Sequence, residues 1–296
     1  MALTLSIPIF MLCELFSTNF ETFSVFYFII LTYFTVNMII EHKFTAKKIV
    51  LTVMQFLISI FNICFALVCP GNWMRSAAEI TRWMVDFNSL TPIDKFALGV
   101  LDTSSKLIMN NILFLLFTLV LFVITLKKSK SKLVTILSAL PMCSVLLITV
   151  LFPLSQNYLS SYSLLFERST NINPMTFNSP LPYIAFAFFV IIMTICVVLL
   201  LNAGKSVKSG ILVALVFSVG FATRVVLGFS PTLYASLLRT FIFLDFSMIY
   251  CIVRVFDDNK ELFENNKYFS KYSLVIGTTF VVFYALNTLI AISSQY

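Results

Sequence analysis

The sequence predicts an all-α integral membrane protein, on three observations. Only 11% of the 296 residues are charged while 59% are hydrophobic, whereas a soluble domain carries roughly 25% charged residues. The mean hydropathy is +0.98. Apolar runs recur over the whole length, each of about 20 residues and so long enough to cross about 30 Å of hydrocarbon. Such a chain has too few polar groups to cover a globular surface, so the bilayer is its solvent. No separate soluble domain fits between the spans, and the whole of 1–296 reads as one polytopic unit.

In chain order, spans are expected at roughly 22–40, 49–69, 106–126, 133–153, 181–201, 208–228, 233–254 and 272–292. Residues 2–16 form a shorter apolar segment holding Pro8 and Glu14, either a ninth span or an interfacial helix. The expected total is therefore 8–9 transmembrane helices. No basic stretch precedes the first apolar run, so no cleavable leader is expected.

Charge sets the orientation. The segments 41–48, 127–132, 202–208 and 254–271 hold twelve lysines and one arginine between them. They alternate with lysine-poor segments at 70–105, 154–180 and 229–232. The positive-inside rule makes the first set cytoplasmic, and it explains the net charge of +7 without nucleic acid as a partner. The C-terminus is then extracytoplasmic. Of six arginines, five (Arg75, Arg82, Arg168, Arg224 and Arg239) fall on or near the outer face. A planar guanidinium binds phosphate or carboxylate bidentately, which an ammonium cannot.

The outer segment 70–105 is expected to carry amphipathic interfacial helices. Pro70 and Gly71 end the second long span, and Asn72 caps a helix over 73–87. Arg75, Glu79, Arg82 and Asp86 then share one face in alternating sign, opposite Met74, Ala78 and Val85. That stripe is either a solvated salt-bridge ladder or a binding surface. Thr91-Pro92-Ile93-Asp94 opens a second helix with a capping-box pattern. Its apolar face of Ile93, Phe96, Ala97, Val100 and Leu101 suits the interface.

Polar residues inside the spans are few. Thr52, Gln55, Ser59 and Asn62 make one stripe on the 49–69 span, for interhelical hydrogen bonding or for a polar cleft. Lys106, Asn110 and Asn111 enter the next span from outside. Gly210, Ala214, Ser218 and Ala222 form a small-residue ladder for close packing, with Gly220 and Arg224 opposite it. Asp245 falls near mid-membrane, where a carboxylate must be neutral or paired, and Arg239 is within reach.

Other chemistry is not expected. The six cysteines form no CxxC pair and read as small apolar residues. The single histidine, His42, has no convergent ligands, so no metal is expected. The chain shows no Walker or Rossmann pattern and therefore no nucleotide cofactor.

The Pro70-Gly71-Asn72 turn with Arg75, followed far downstream by Arg224, Gly228, Ser230, Pro231 and Arg239, resembles a family of polytopic bacterial membrane proteins. These are related to the serotype-converting glucosyltransferases and other polyprenyl-phosphate-sugar-dependent (GT-C-like) enzymes. The resemblance covers about 49–254, the latter part of such a protein. It implies a multi-pass protein of the bacterial cytoplasmic membrane that handles a lipid-phosphate-linked sugar at the outer leaflet. Membrane lipid would be its partner, alongside partner membrane subunits. Arg75, Arg224 and Arg239 would then hold the lipid phosphate, with Asn72 and Asp245 completing the substrate site. Glu21, Glu79 and Asp86 are the candidate bases. Family members carry their acids in a large first outer loop, whereas here that loop is only 17–21, with Glu21 its sole acid. The alternative is a non-enzymatic membrane subunit or transporter that uses the polar stripe and Asp245. The scarcity of glycine and the lack of an inverted repeat count against broken transporter helices.

Overall fold

A computed structural model describes residues 2–18, 20–43, 45–158, 181–233, 235–236 and 238–264 of the chain. Every regular element among them is helical. The α-helices are α1 (Ala2–Ser17), α2 (Glu21–Ile40), α3 (Ala46–Val68), α4 (Pro70–Trp83), α5 (Pro92–Asn110) and α6 (Ile112–Lys128). They continue as α7 (Lys132–Tyr158), α8 (Leu181–Ala203), α9 (Val207–Val225), α10 (Ile242–Asp258) and the single turn α11 (Glu261–Glu264).

Among the described residues four helices are long and apolar enough to cross a bilayer: Thr22–Ile40, Ala46–Val68, Ile184–Ala203 and Val207–Phe229. The expected span at 106–126 is not one straight helix. α5 and α6 meet at Asn111, where the axes of Pro92–Ile108 and Ile112–Lys128 bend by 81°. Asn111 leaves helical geometry (φ −113°, ψ 97°), and its Oδ1 accepts from the N–H groups of Leu113 at 3.0 Å and Phe114 at 3.3 Å. An asparagine competes for backbone hydrogen bonds in this way and so starts a new helix rather than continuing the old one. The expected span at 233–254 also starts late, because turns and 3-10 geometry occupy 226–241 and α10 begins only at Ile242. α7 covers the expected 133–153 span, while the expected span at 272–292 lies outside the described residues.

α9 is the centre of the bundle. Gly210 brings it against α8, since a Cβ there would stand 2.3 Å from the Leu201 carbonyl oxygen. Gly220 does the same against α10, with Ser247 Oγ 2.3 Å from the Cβ position. The small-residue ladder is therefore only partly the packing face. Ala222 is exposed, and the face bearing Gly220 and Arg224, expected to point away, is the buried one. Aromatic stacking of Phe117 on Phe217, at 4.9 Å between centroids, joins α6 to α9.

The polar stripe of α3 acts as interhelical glue. Ser59 and Ser24 each donate a hydroxyl to the other's carbonyl, at 3.4 and 3.3 Å. Asn62 donates to the Leu15 carbonyl at 3.0 Å and to Thr18 Oγ1 at 2.6 Å. These bonds hold α1, α2 and α3 together where apolar packing against lipid gives no driving force.

All four lysine-bearing segments gather at one end. Lys208 pairs with Glu41, Lys128 donates to the carbonyls of Ala203 and Gly204, and Lys205 pairs with Glu261. His42, at φ 52°, closes α2 in a Schellman pattern: its own N–H reaches Ile39 O and the Lys43 N–H reaches Met38 O. The C-terminus of α9, with Arg224, lies at the opposite end.

Candidate functional site

The site grows out of the α3–α4 corner. Cys69 (φ −60°, ψ 115°) is the only extended residue between the two helices, and Pro70 already occupies the first helical position of α4. Asn72 is consequently inside the first turn and does not cap it. Its Nδ2 donates to the Ala66 carbonyl at 3.0 Å, and Trp73 Nε1 donates to Leu67 O at 3.1 Å. Two side chains of α4 thus satisfy carbonyls that the end of α3 leaves open, which fixes the angle between the helices.

α4 ends at Trp83, sooner than the charge spacing suggests, because Met84 turns extended (φ −154°, ψ 80°) and 85–89 continues as a 3-10 turn. Asp86 is carried off the stripe and is exposed. Arg75, Glu79 and Arg82 remain on one face. Among the described residues no ion pair joins these four charges, so the salt-bridge ladder is not formed. Arg82 instead lies over the Trp83 ring at 5.0 Å. Trp73 and Met74, 70% and 75% exposed, occupy the outward side.

The three charges line a cavity of about 690 Å³. Its far wall carries the hydroxyl residues Thr223, Thr232, Ser236 and Thr240, and its apolar lining is Phe20, Leu227, Ile242 and Phe243. A smaller recess of about 200 Å³ adjoins it, between Asn72, Arg75, Ser76 and Glu79 on α4 and the 229–232 turn. Arg75, Glu79 and Thr232 belong to both chambers. The turn is held by a Ser230–Thr232 hydroxyl contact of 2.8 Å and by Ser236 Oγ donating to the Thr232 carbonyl at 2.8 Å.

The other candidates fall at different distances from this space. Glu21 stands in the chain between Phe20 and Thr22, both on the cavity wall. Arg239 belongs to the Leu238–Phe241 3-10 turn, between the wall residues Ser236 and Thr240. Asp245 does not line the cavity. Its Oδ1 accepts from Asn111 Nδ2 at 2.7 Å, which ties α10 to the α5–α6 break.

Arg224 lies behind the wall, fully buried, and is not free to meet a ligand. Its Nη2 donates to Asp102 Oδ2 at 2.7 Å, and Lys106 Nζ stands 2.8 Å from Asp102 Oδ1. The Phe241 ring covers the guanidinium at 4.8 Å. Asp102 was not among the sequence candidates. A signal was present: Asp102-Thr103-Ser104-Ser105-Lys106 is a polar run with charges at i and i+4, flanked by apolar residues. α5 is interfacial only at its start, where Ile93 is 79% exposed, and from Leu98 onward it is buried. Two glycines allow that burial: a Cβ on Gly99 would stand 2.1 Å from Val225 O, and one on Gly228 would stand 2.1 Å from Lys95 O.

Compared with family models, curated proteins and solved structures, the chain matches none. Its residues alone therefore carry the functional argument. What the cavity offers chemically is two guanidinium groups without an ion-pair partner among the described residues, one carboxylate, a row of hydroxyls and an apolar lining. No group of three or more metal-ligating side chains occurs among the described residues.

Proposed function

We propose that this chain is a multi-pass protein of a bacterial cell envelope that binds a lipid-phosphate-linked sugar in the Arg75–Glu79–Arg82 cavity and transfers its glycosyl unit. One observation carries the reading. Two arginines without an ion-pair partner among the described residues share a cavity with hydroxyls and an apolar lining, a combination that matches a phosphate, a polyol and a hydrocarbon chain in one molecule.

In this reading Arg75 and Arg82 hold the phosphate. Glu79 takes the proton of an acceptor hydroxyl, the hydroxyl oxygen bonds to the anomeric carbon, and the carbon–oxygen bond to the lipid phosphate breaks. The lipid phosphate leaves with its negative charge held by the arginines. Glu21 is the second candidate base, from its place in the chain beside the cavity wall. The lysine-rich end is cytoplasmic and the cavity faces out, with 8–9 spans in the whole chain and the C-terminus outside.

A second reading, transport, is favoured by the α5–α6 break. An 81° bend at a polar residue inside an apolar pair of helices is a feature of discontinuous transporter helices.

The test is binding of a long-chain isoprenyl phosphate to the full chain in nanodiscs. Arg75→Lys should weaken it by roughly 10–100-fold, the loss of a charge-assisted bidentate contact. Arg82→Lys should weaken it less, since the Arg82 guanidinium already lies over the Trp83 ring at 5.0 Å. Wild-type affinity in Arg75→Lys would remove the headgroup reading. In cells, cysteine at Ser89 should react with an impermeant maleimide and cysteine at Ser131 should not; the reverse would put the cavity on the inner face.

A further inference from the structure

The two adjoining chambers differ in chemistry as well as in size. The larger combines arginines with an apolar lining. The smaller has its charges from Arg75 and Glu79, one of each sign, so it offers no net attraction to a second phosphate. It adds the hydroxyls of Ser76, Ser230 and Thr232 and the ring of Phe229, which is 48% exposed. Among the described residues Arg75, Ser76 and Glu79 have no hydrogen-bond partner.

That set suits a neutral polyol. A carboxylate accepts from hydroxyl groups, a guanidinium donates to them, and serine and threonine do either. An aromatic ring supplies an apolar face for the C–H side of a sugar. A chamber of about 200 Å³ suits a single ring with its hydroxyls rather than a lipid chain. We infer that the smaller chamber is the monosaccharide subsite, holding one hexose-sized unit, with Arg75 at the junction where phosphate and sugar meet. The inference rests on the proposed binding of a lipid phosphate in the larger chamber and goes further, since it assigns the sugar to a specific set of residues. Ser76, Ser230 and Thr232 become specificity-determining residues for the sugar and Phe229 its platform.

The experiment compares two probes on the full chain in nanodiscs: a long-chain isoprenyl phosphate, and the same lipid phosphate carrying one hexose. Ser76→Leu fills the chamber, and Ser76→Ala removes one hydroxyl from a residue that lines the smaller chamber and not the larger. Both variants should lose about tenfold affinity for the hexose-bearing lipid, the worth of one hydrogen bond or slightly more. For the sugar-free lipid they should change by less than about twofold. Equal loss for both lipids, or loss for neither, would overturn the subsite while leaving the lipid-phosphate reading in place. Failure of the wild-type chain to bind either lipid would overturn both. Thermal stability of each variant separates a misfolded chain from a filled chamber, and Ser76→Ala decides the matter if Ser76→Leu fails to fold.

Discussion

Removing the carboxylate of Asp102 should destabilise the protein more than removing the guanidinium it holds. Asp102 is 1% exposed and Arg224 is fully buried, and the carboxylate serves Arg224 and Lys106 together. Asp102→Asn keeps the shape but leaves two cations facing a neutral amide. Breaking a buried pair from one side costs roughly 3–5 kcal/mol, because the remaining charge is left uncompensated. Lys106 recovers part of that by turning its ammonium toward solvent, since its side chain is 16% exposed, but Arg224 has no such exit. Arg224→Met leaves Asp102 paired with Lys106 and returns apolar volume, so it should cost about 1–2 kcal/mol less than Asp102→Asn. The double variant should be more stable than the sum of the single effects predicts, by up to about 3 kcal/mol. The assay is SDS-induced unfolding in mixed micelles followed by circular dichroism, on all four proteins of the cycle. Additive effects, or a cost for Asp102→Asn below about 1 kcal/mol, as for an exposed pair, would refute the reasoning.

Two further outcomes follow from the geometry. Gly228→Ala should destabilise by about 2–3 kcal/mol in the same unfolding assay, because its Cβ meets the Lys95 carbonyl oxygen at 2.1 Å and backbone must move. Gly71→Ala is the opposite-sign control: its nearest neighbour is Cys69 Sγ at 3.9 Å, so helix propensity should make it neutral or stabilising by up to about 1 kcal/mol. Glu41, between Lys208 and Lys43, has its pKa lowered to about 2, chiefly by the Lys208 hydrogen bond and then by that from Lys43. A depressed folded-state pKa gives stability that is present above the unfolded value of 4.5 and is lost as pH falls through about 2. Melting temperature should therefore drop over that window in the wild type, and Glu41→Gln should flatten the drop.

The spans were legible wherever one physical rule acted alone. α2, α3, α8 and α9 follow from apolar length, and the gathering of the lysine segments at one end follows from charge alternation. The failures lie where two local rules compete. At 106–126 the apolar run promises a straight span, but Asn111 has a side chain that caps a new helix as well as it could continue the old one. At 233–254 hydropathy carries the prediction through a region where Ser230, Pro231 and Thr232 prefer a turn. In α4 the charge spacing promised a helix to residue 87, and a single extended residue at Met84 removed Asp86 from the face. The candidate site was legible in part: Arg75 and Glu79 line both chambers and Asn72 lines the smaller. Arg82, on the same stripe, lines the larger.

Arg224 shows why residue type alone could not assign the roles. Its sequence context, among small and apolar residues close to the end of a span, resembles that of an arginine aimed at a headgroup. What separates it from Arg75 is Asp102, more than a hundred residues earlier in the chain and inside a helix that looks interfacial by its first two turns. Only the approach of α5 to the end of α9, made possible by Gly99 and Gly228, brings the carboxylate to the guanidinium. Arg75 has no such neighbour among the described residues, because the single extended residue at Cys69 turns α4 back over the cavity and away from the core. The arginines expected at this end of the protein thus divide by partner. One is neutralised within the fold and lies against Phe241, while Arg75 lines the cavity. A ligand that competes for guanidinium contacts should therefore be released by loss of Arg75, whereas loss of Arg224 should first be felt as loss of the fold.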